Sequence, residues 1–146
     1  MEEGWEDGRL TAPVYEDAVR GLRAWSKGGV RVGVYSSGAA TAQRALFGHV
    51  RGEGSLLKEV EGGGHWDTTS AGPKKDVSSY RTMAAALHPR RPLFLSDCPD
   101  EVHAALQAGW QAALVRRPGN RPLPDGWNEA PIVDDFDQVR KQFKLP

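Results

Sequence analysis

Apolar residues at Tyr15, Val19, Leu22 and Trp25 recur at steps of three and four, which puts them on one face of a helix running from Tyr15 to Lys27. Gly28-Gly29 marks its end, because glycine accepts the left-handed backbone that closes many helices. The β-branched run Val30–Tyr35 predicts a strand, followed by Ser36-Ser37-Gly38 and a second helical pattern through about Phe47, with Ala42, Leu46 and Phe47 as its apolar face. Residues 49–73 are glycine-rich and irregular, with one helical turn expected at Ser55–Val60 and a short strand end at His65-Trp66-Asp67. Asp76–Leu87 is helical, with Val77, Tyr80, Met83 and Leu87 on one face. Pro92–Ser96 predicts a strand of the buried type, Pro99–Ala108 a helix and Gln111–Val115 another strand. A Pro/Gly loop over 117–131 leads to Ile132-Val133 and a last short helix from about Asp135, while residues 1–12 lack periodicity and read as a loosely packed opening segment. Strands alternating with helices indicate an α/β fold with a mainly parallel sheet, a single domain over 1–146.

Composition narrows the function classes. Nineteen basic and 19 acidic side chains give no net charge, which argues against partners bound by bulk charge, so neither nucleic acid nor an anionic membrane is expected. No apolar run approaches the ~20 residues of a spanning helix, and Met1 opens an acidic, Trp-containing stretch unlike a signal peptide. The single cysteine, Cys98, excludes an internal disulfide framework and suits a reducing compartment. A cytoplasmic monomer is the expectation, with the nucleus open to it if the source is eukaryotic. The glycines at 62–64 lack the spacing of a dinucleotide or Walker loop.

Ligands in α/β sheets bind beyond the carboxyl ends of the strands, and three polar groupings fall there. Ser36-Ser37 closes one strand and opens a helix, where hydroxyls and unpaired N–H groups can hold a phosphate oxygen; taken alone, a plain N-cap is the plainer reading. Lys74 and Lys75 precede a helix whose dipole opposes them by about a few tenths of a kcal/mol, a placement that makes sense if one of them meets an anion; a solvated pair is the plainer reading. Asp97 ends a strand, where a carboxylate can hold Mg²⁺ or cap the following helix, with Asp100 and Glu101 suiting that helix's first turn. Cys98 reads as a small buried neighbour, not a nucleophile.

The wording of these segments resembles the enolase-phosphatase (acireductone synthase) family within the haloacid-dehalogenase-like superfamily. The resemblance rests on Tyr35-Ser36-Ser37-Gly38, Ala42-Gln43, Leu46-Phe47-Gly48-His49, Trp66-Asp67-Thr68-Thr69 with Gly72 and Lys74, Ser79-Tyr80-Arg81, Leu93-Phe94-Leu95-Ser96-Asp97 and Val115-Arg116-Arg117-Pro118-Gly119-Asn120. It runs from about Gly4 to the C-terminal helix. It implies a Rossmannoid parallel sheet with flanking helices and a Mg²⁺-dependent enzyme of methionine salvage. That enzyme enolises, then dephosphorylates, the small phosphate ester 2,3-diketo-5-methylthiopentyl-1-phosphate. Carried over, Ser36, Ser37 and Lys74 would contact the substrate phosphate, and Asp97 would ligate the metal.

Members of that family also open with an apolar central strand ending in Asp-x-Glu-Gly-Thr, which supplies the nucleophile and further metal ligands, followed by a helical cap. Neither occurs in these 146 residues. The expectation is therefore a truncated chain, inactive alone, with strand edges left open to association. The alternative is a non-catalytic phosphate-binding module of the same fold. Asp135-Phe136-Asp137-Gln138-Val139 satisfies the superfamily's broader nucleophile pattern, but a helix N-cap with an acidic first turn is the simpler reading.

Overall fold

A computed structural model describes residues 15–36, 47–50, 54–61, 63–87, 92–120 and 122–146. Ser37, the opening segment 1–12 and the expected helix through Ala42 and Leu46 lie outside the described residues. The chain divides into two compact units, one reaching to Ser70 and including Leu145–Pro146, the other Ala71–Lys144.

In the first unit, α1 (Glu16–Lys27) buries Ala18, Val19, Leu22 and Trp25, the face its periodicity predicts. Glu16 and Asp17 in its first turn and Lys27 in its last complement the helix dipole. Gly28 closes it by donating to Ala24 O, and Gly29 follows in the left-handed region at φ 79°. β1 (Val34–Tyr35) pairs in parallel with β2 (His65–Trp66), and the short helix α2 (Leu57–Glu61) adds the buried Val60.

The regular part of β1 is shorter than the expected Val30–Tyr35. Val30 N–H instead donates to Trp25 O at 2.8 Å, drawn into the closing turn of α1. Gly63 N–H meets Val32 O at 2.8 Å, and a Cβ on Gly63 would lie 2.5 Å from Gly33 N. This crossing requires two glycines. The chains pass too closely for side chains on either.

The second unit holds a three-stranded parallel sheet in the order β3 (Leu93–Ser96), β4 (Gln111–Val115), β5 (Ile132–Val133). Helices α3 (Val77–Leu87), α4 (Pro99–Gln107) and α5 (Phe136–Phe143) complete it. β4 is the buried strand, with Ala112, Ala113 and Leu114 enclosed. PLFLS is less buried than expected: only Phe94 is enclosed, because β3 ends the sheet and has a strand on one side alone among the described residues. Tyr80 and Met83 of α3 are buried as predicted, and Tyr80, Phe94 and Trp110 form an edge-to-face cluster with centroids 5.0–6.3 Å apart. Asp135 caps α5 by accepting Gln138 N–H at 2.7 Å, in line with its reading as an N-cap.

The ladder of this sheet alternates strictly. Gln111 N–H donates to Pro92 O at 2.9 Å, whereas Leu114 and Arg116 N–H donate to Pro131 O and Val133 O at 2.9 and 2.8 Å. Odd positions of β4 thus bond β3, and even positions bond β5. On β3, the main chain of Pro92, Phe94 and Ser96 faces β4. That of Leu93 and Leu95 faces the other way.

Candidate functional site

The four residues singled out from the sequence fall in different places. Ser36 follows β1 in the first unit, its N–H donating to Trp66 O at 3.1 Å, and Ser37 is outside the described residues. Lys74 and Asp97 belong to the second unit.

Lys74 sits in a tight turn laid over the start of α3. Ser79 Oγ, buried, donates to Pro73 O at 2.7 Å, and Tyr80 Oη donates to Lys74 O at 2.5 Å. Two consecutive residues of the helix therefore reach back six positions to hold the turn's carbonyls. Gly72 enters it at φ 113°, and a Cβ there would meet Ser79 Oγ at 2.5 Å. Asp76, just before α3, accepts from both Ser78 Oγ and Ser78 N–H, at 2.8 and 3.0 Å, which lowers its carboxyl below the ordinary range.

The two lysines are not equivalent. Lys74 Nζ lies 2.7 Å from Glu101 Oε1, with the side chains 24% and 13% exposed; Lys75 Nζ lies 3.6 Å from Asp100 Oδ2, at 65% and 74%. Lys74 is thus a positioned, half-buried ammonium, and Lys75 fits the solvated reading. Ser96 Oγ, at the end of β3, donates to the same Glu101 Oε1 at 3.1 Å and accepts Cys98 N–H at 3.1 Å. This fixes both the turn into α4 and the carboxylate that holds the lysine.

Asp97 lies exposed at the bend after β3. It does not cap α4. Cys98, half-buried and a free thiol, occupies the N-cap position, with Asp100 and Glu101 in the first turn. Mg²⁺ demands six oxygen ligands in near-octahedral geometry. Among the described residues no three His, Cys, Asp or Glu side chains come together as a metal-binding group. Asp97 offers one carboxylate, so the described residues do not by themselves fit a magnesium centre.

Sequence reasoning missed Glu101, Ser96, Ser79 and Tyr80 as parts of this arrangement. Glu101 was accounted for by the helix dipole alone. Its available signal was a carboxylate four positions after Asp97, on the first turn of a helix that follows directly from the strand. Ser79 and Tyr80 stood out only within the resemblance and, for Tyr80, on an apolar helix face; nothing pointed to their partners, which are main-chain carbonyls.

The carboxyl ends of β4 and β5 carry a second charged group. Arg116 clasps Asp134 through Nε–Oδ1 at 2.6 Å and Nη2–Oδ2 at 3.0 Å. The pairing lowers the Asp134 carboxyl and raises the Arg116 guanidinium, in each case chiefly through these hydrogen bonds. Arg117 lies over the Phe136 ring at 5.9 Å. Both arginines of this segment thus tie β4 to β5 and α5.

No protein-family model matches the chain. Among curated proteins it is 40% identical over 147 residues to Enolase-phosphatase E1 of Pyricularia oryzae, covering 98% of this chain and 60% of that protein. It is 53% identical over 119 residues to the enzyme of the same name from Streptomyces avermitilis, covering 80% of this chain and 48% of the relative. The UTR4 protein of Saccharomyces cerevisiae superposes with a TM-score of 0.81 at 32% identity, over 94% of this chain and 62% of that one. A dehalogenase solved with an intermediate complex shares the fold at a TM-score of 0.73 and 18% identity, over 90% and 57%. The chain spans about three-fifths, or less, of the length of these relatives. With the α/β units, the parallel sheets and this similarity along almost its whole length, the chain resembles proteins named Enolase-phosphatase E1 over the part of their length that it matches, and it shares its fold with the dehalogenase.

Proposed function

We propose that this chain carries the phosphate-contacting part of an enolase-phosphatase site and has no turnover by itself. The substrate in this reading is the phosphorylated diketone of methionine salvage, 2,3-diketo-5-methylthiopentyl-1-phosphate, in the cytoplasm. The supporting observation is the 40% identity to Enolase-phosphatase E1 over 98% of the chain.

In this reading Lys74, whose ammonium is held by Glu101 at 2.7 Å, would offset charge on a transferring phosphoryl group. In the same reading Ser36 and Ser37, of the first unit, would contact phosphate, and Asp97, of the second, would be one ligand for Mg²⁺. A single carboxylate with waters holds that ion weakly. Displacement at phosphorus in this family needs a carboxylate nucleophile in line with the leaving oxygen, and positioning alone does not replace it. Asp135 does not supply it, because its carboxylate is engaged in capping α5.

Three measurements on the purified chain test this reading. Inorganic phosphate should shift the Ser36, Ser37 and Lys74 amide resonances. Calorimetry should find only weak Mg²⁺ binding, lost in Asp97→Asn. A small phosphate ester with Mg²⁺ should not be hydrolysed. Phosphate shifts confined to other residues, or micromolar Mg²⁺ affinity that survives Asp97→Asn, would overturn the site assignment. Metal-dependent turnover abolished by Asp135→Asn would overturn the claim of inactivity.

A further inference from the structure

We infer that Tyr80 is a positioning residue for Lys74: its hydroxyl fixes the main chain of the lysine so that the ammonium is delivered to Glu101 and held beside the end of β3. The role has catalytic meaning only under the phosphate-contacting reading of Lys74, on which it rests; the geometry itself does not depend on that reading.

Two lysines and two acids supply a comparison within the chain. Lys74 and Lys75 are neighbours, as are Asp100 and Glu101 in the first turn of α4, so charge attraction acts on both pairs. Only one pair closes to hydrogen-bond distance. Lys74 Nζ and Glu101 Oε1 are 2.7 Å apart and mostly buried, whereas Lys75 Nζ and Asp100 Oδ2 are 3.6 Å apart and mostly exposed. What differs is the main chain. Tyr80 Oη donates to Lys74 O at 2.5 Å, and among the described residues no side chain donates to Lys75 O.

The hydroxyl sits on a rigid mount. Tyr80 is fully buried, its ring edge to face with Phe94 and Trp110 at 5.0 and 5.5 Å. That packing asks only for a ring, and Phe would supply one without a polar atom to satisfy. Burying a hydroxyl is costly unless it is bonded, and here its partner is the carbonyl of the cation's own residue. The preceding positions are fixed as well: Ser79 Oγ donates to Pro73 O at 2.7 Å, and Gly72 has no room for a Cβ against that hydroxyl. Ser79 and Tyr80 thus locate the turn over positions 72–74. Fixing the Lys74 carbonyl sets where its side chain leaves the main chain, so fewer of its rotamers miss Glu101. From the other side Ser96 Oγ steadies Glu101 at 3.1 Å, which makes Ser96 the rival positioning group.

The experiment uses the whole 146-residue chain and heteronuclear NMR of its lysine ammonium groups. In the unaltered chain the Lys74 ammonium should exchange its hydrogens with water at least about tenfold more slowly than that of Lys75. Tyr80→Phe keeps the ring and removes only the hydroxyl. It should bring the Lys74 rate to within about twofold of Lys75, with amide protection at Leu114 reporting an intact sheet. Val139→Ala, which truncates a buried side chain of α5 in the same unit, is the control for lost stability and should leave the Lys74 rate unchanged. Slow exchange at Lys74 that persists in Tyr80→Phe would overturn the inference, and release by Ser96→Ala in its place would assign the positioning to the acid. Equal release by Val139→Ala would also overturn it, by reducing the hydroxyl's effect to stability. The Tyr80 hydroxyl proton of the unaltered chain should itself exchange slowly; fast exchange there would overturn the tie without any variant. Inorganic phosphate tests the functional reading separately: if it shifts no Lys74 resonance in the unaltered chain, the phosphate contact fails while the ammonium rates still decide the role of Tyr80.

Discussion

Replacing Glu101 by Gln keeps the shape of the side chain and an oxygen for Ser96 Oγ but removes the charge facing Lys74. The pair is 2.7 Å apart, with only 24% and 13% of the two side chains exposed. A hydrogen bond to a charged group in such a setting contributes about 1.5–3 kcal/mol, whereas exposed ion pairs contribute about 0–1. Glu101→Gln should therefore lower stability by about 2 kcal/mol, near the middle of the charged-bond range. The neighbouring pair is the internal control: Lys75–Asp100, at 3.6 Å and mostly exposed, predicts a loss under about 0.5 kcal/mol for Asp100→Asn. Urea unfolding followed by far-UV circular dichroism measures both. A double-mutant cycle with Lys74→Met separates the pair's coupling from the other effects of each substitution. Equal losses in Glu101→Gln and Asp100→Asn, or a coupling indistinguishable from zero, would refute the view of Lys74 as a positioned cation.

Two further outcomes follow from geometry elsewhere. Asp134 titrates below the ordinary aspartate value of about 3.9 because Arg116 donates to it, so its contribution is complete above that value and is lost as the pH falls through the lower folded one. Stability measured between about pH 2 and 5 should lose part of its slope in Asp134→Asn, and high salt should diminish that difference because the pair faces solvent. Gly63→Ala should cost about 1–3 kcal/mol or more in the same urea assay, because the new Cβ meets backbone atoms of Val32 and Gly33 within 2.8 Å. Gly48→Ala, whose Cβ would make an ordinary contact at 3.5 Å, should change stability by less than about 0.5 kcal/mol.

Local pattern was legible and long-range pairing was not. α1 follows from the spacing of Val19, Leu22 and Trp25, and β4 runs over Gln111–Val115 as read, because each satisfies its own period within one turn or one strand. The division into a two-stranded and a three-stranded sheet had no local signature, since hydrophobic alternation says that a strand forms and not which strand lies beside it. Lys74 was visible as an anomalous cation before a helix. Its partner Glu101 was not, because an acid in a first turn is already explained by the helix dipole. The tie between Tyr80 and the main chain of Lys74 was invisible for a further reason: Tyr80 sits on the apolar face of α3, and burial alone accounts for it.

The chain's five tryptophans give it an optical readout. Trp25 is buried on α1 in the first unit, and Trp110 is buried in the second against Tyr80 and Phe94. Trp66 and Trp127 keep partial contact with solvent. Each unit thus contains a native fluorophore whose emission moves to longer wavelength when its own surroundings open to water. Trp25→Phe removes the buried fluorophore of the first unit and Trp110→Phe that of the second, so the part of the melting curve lost in each variant reports whether the two units unfold in one cooperative event or in two.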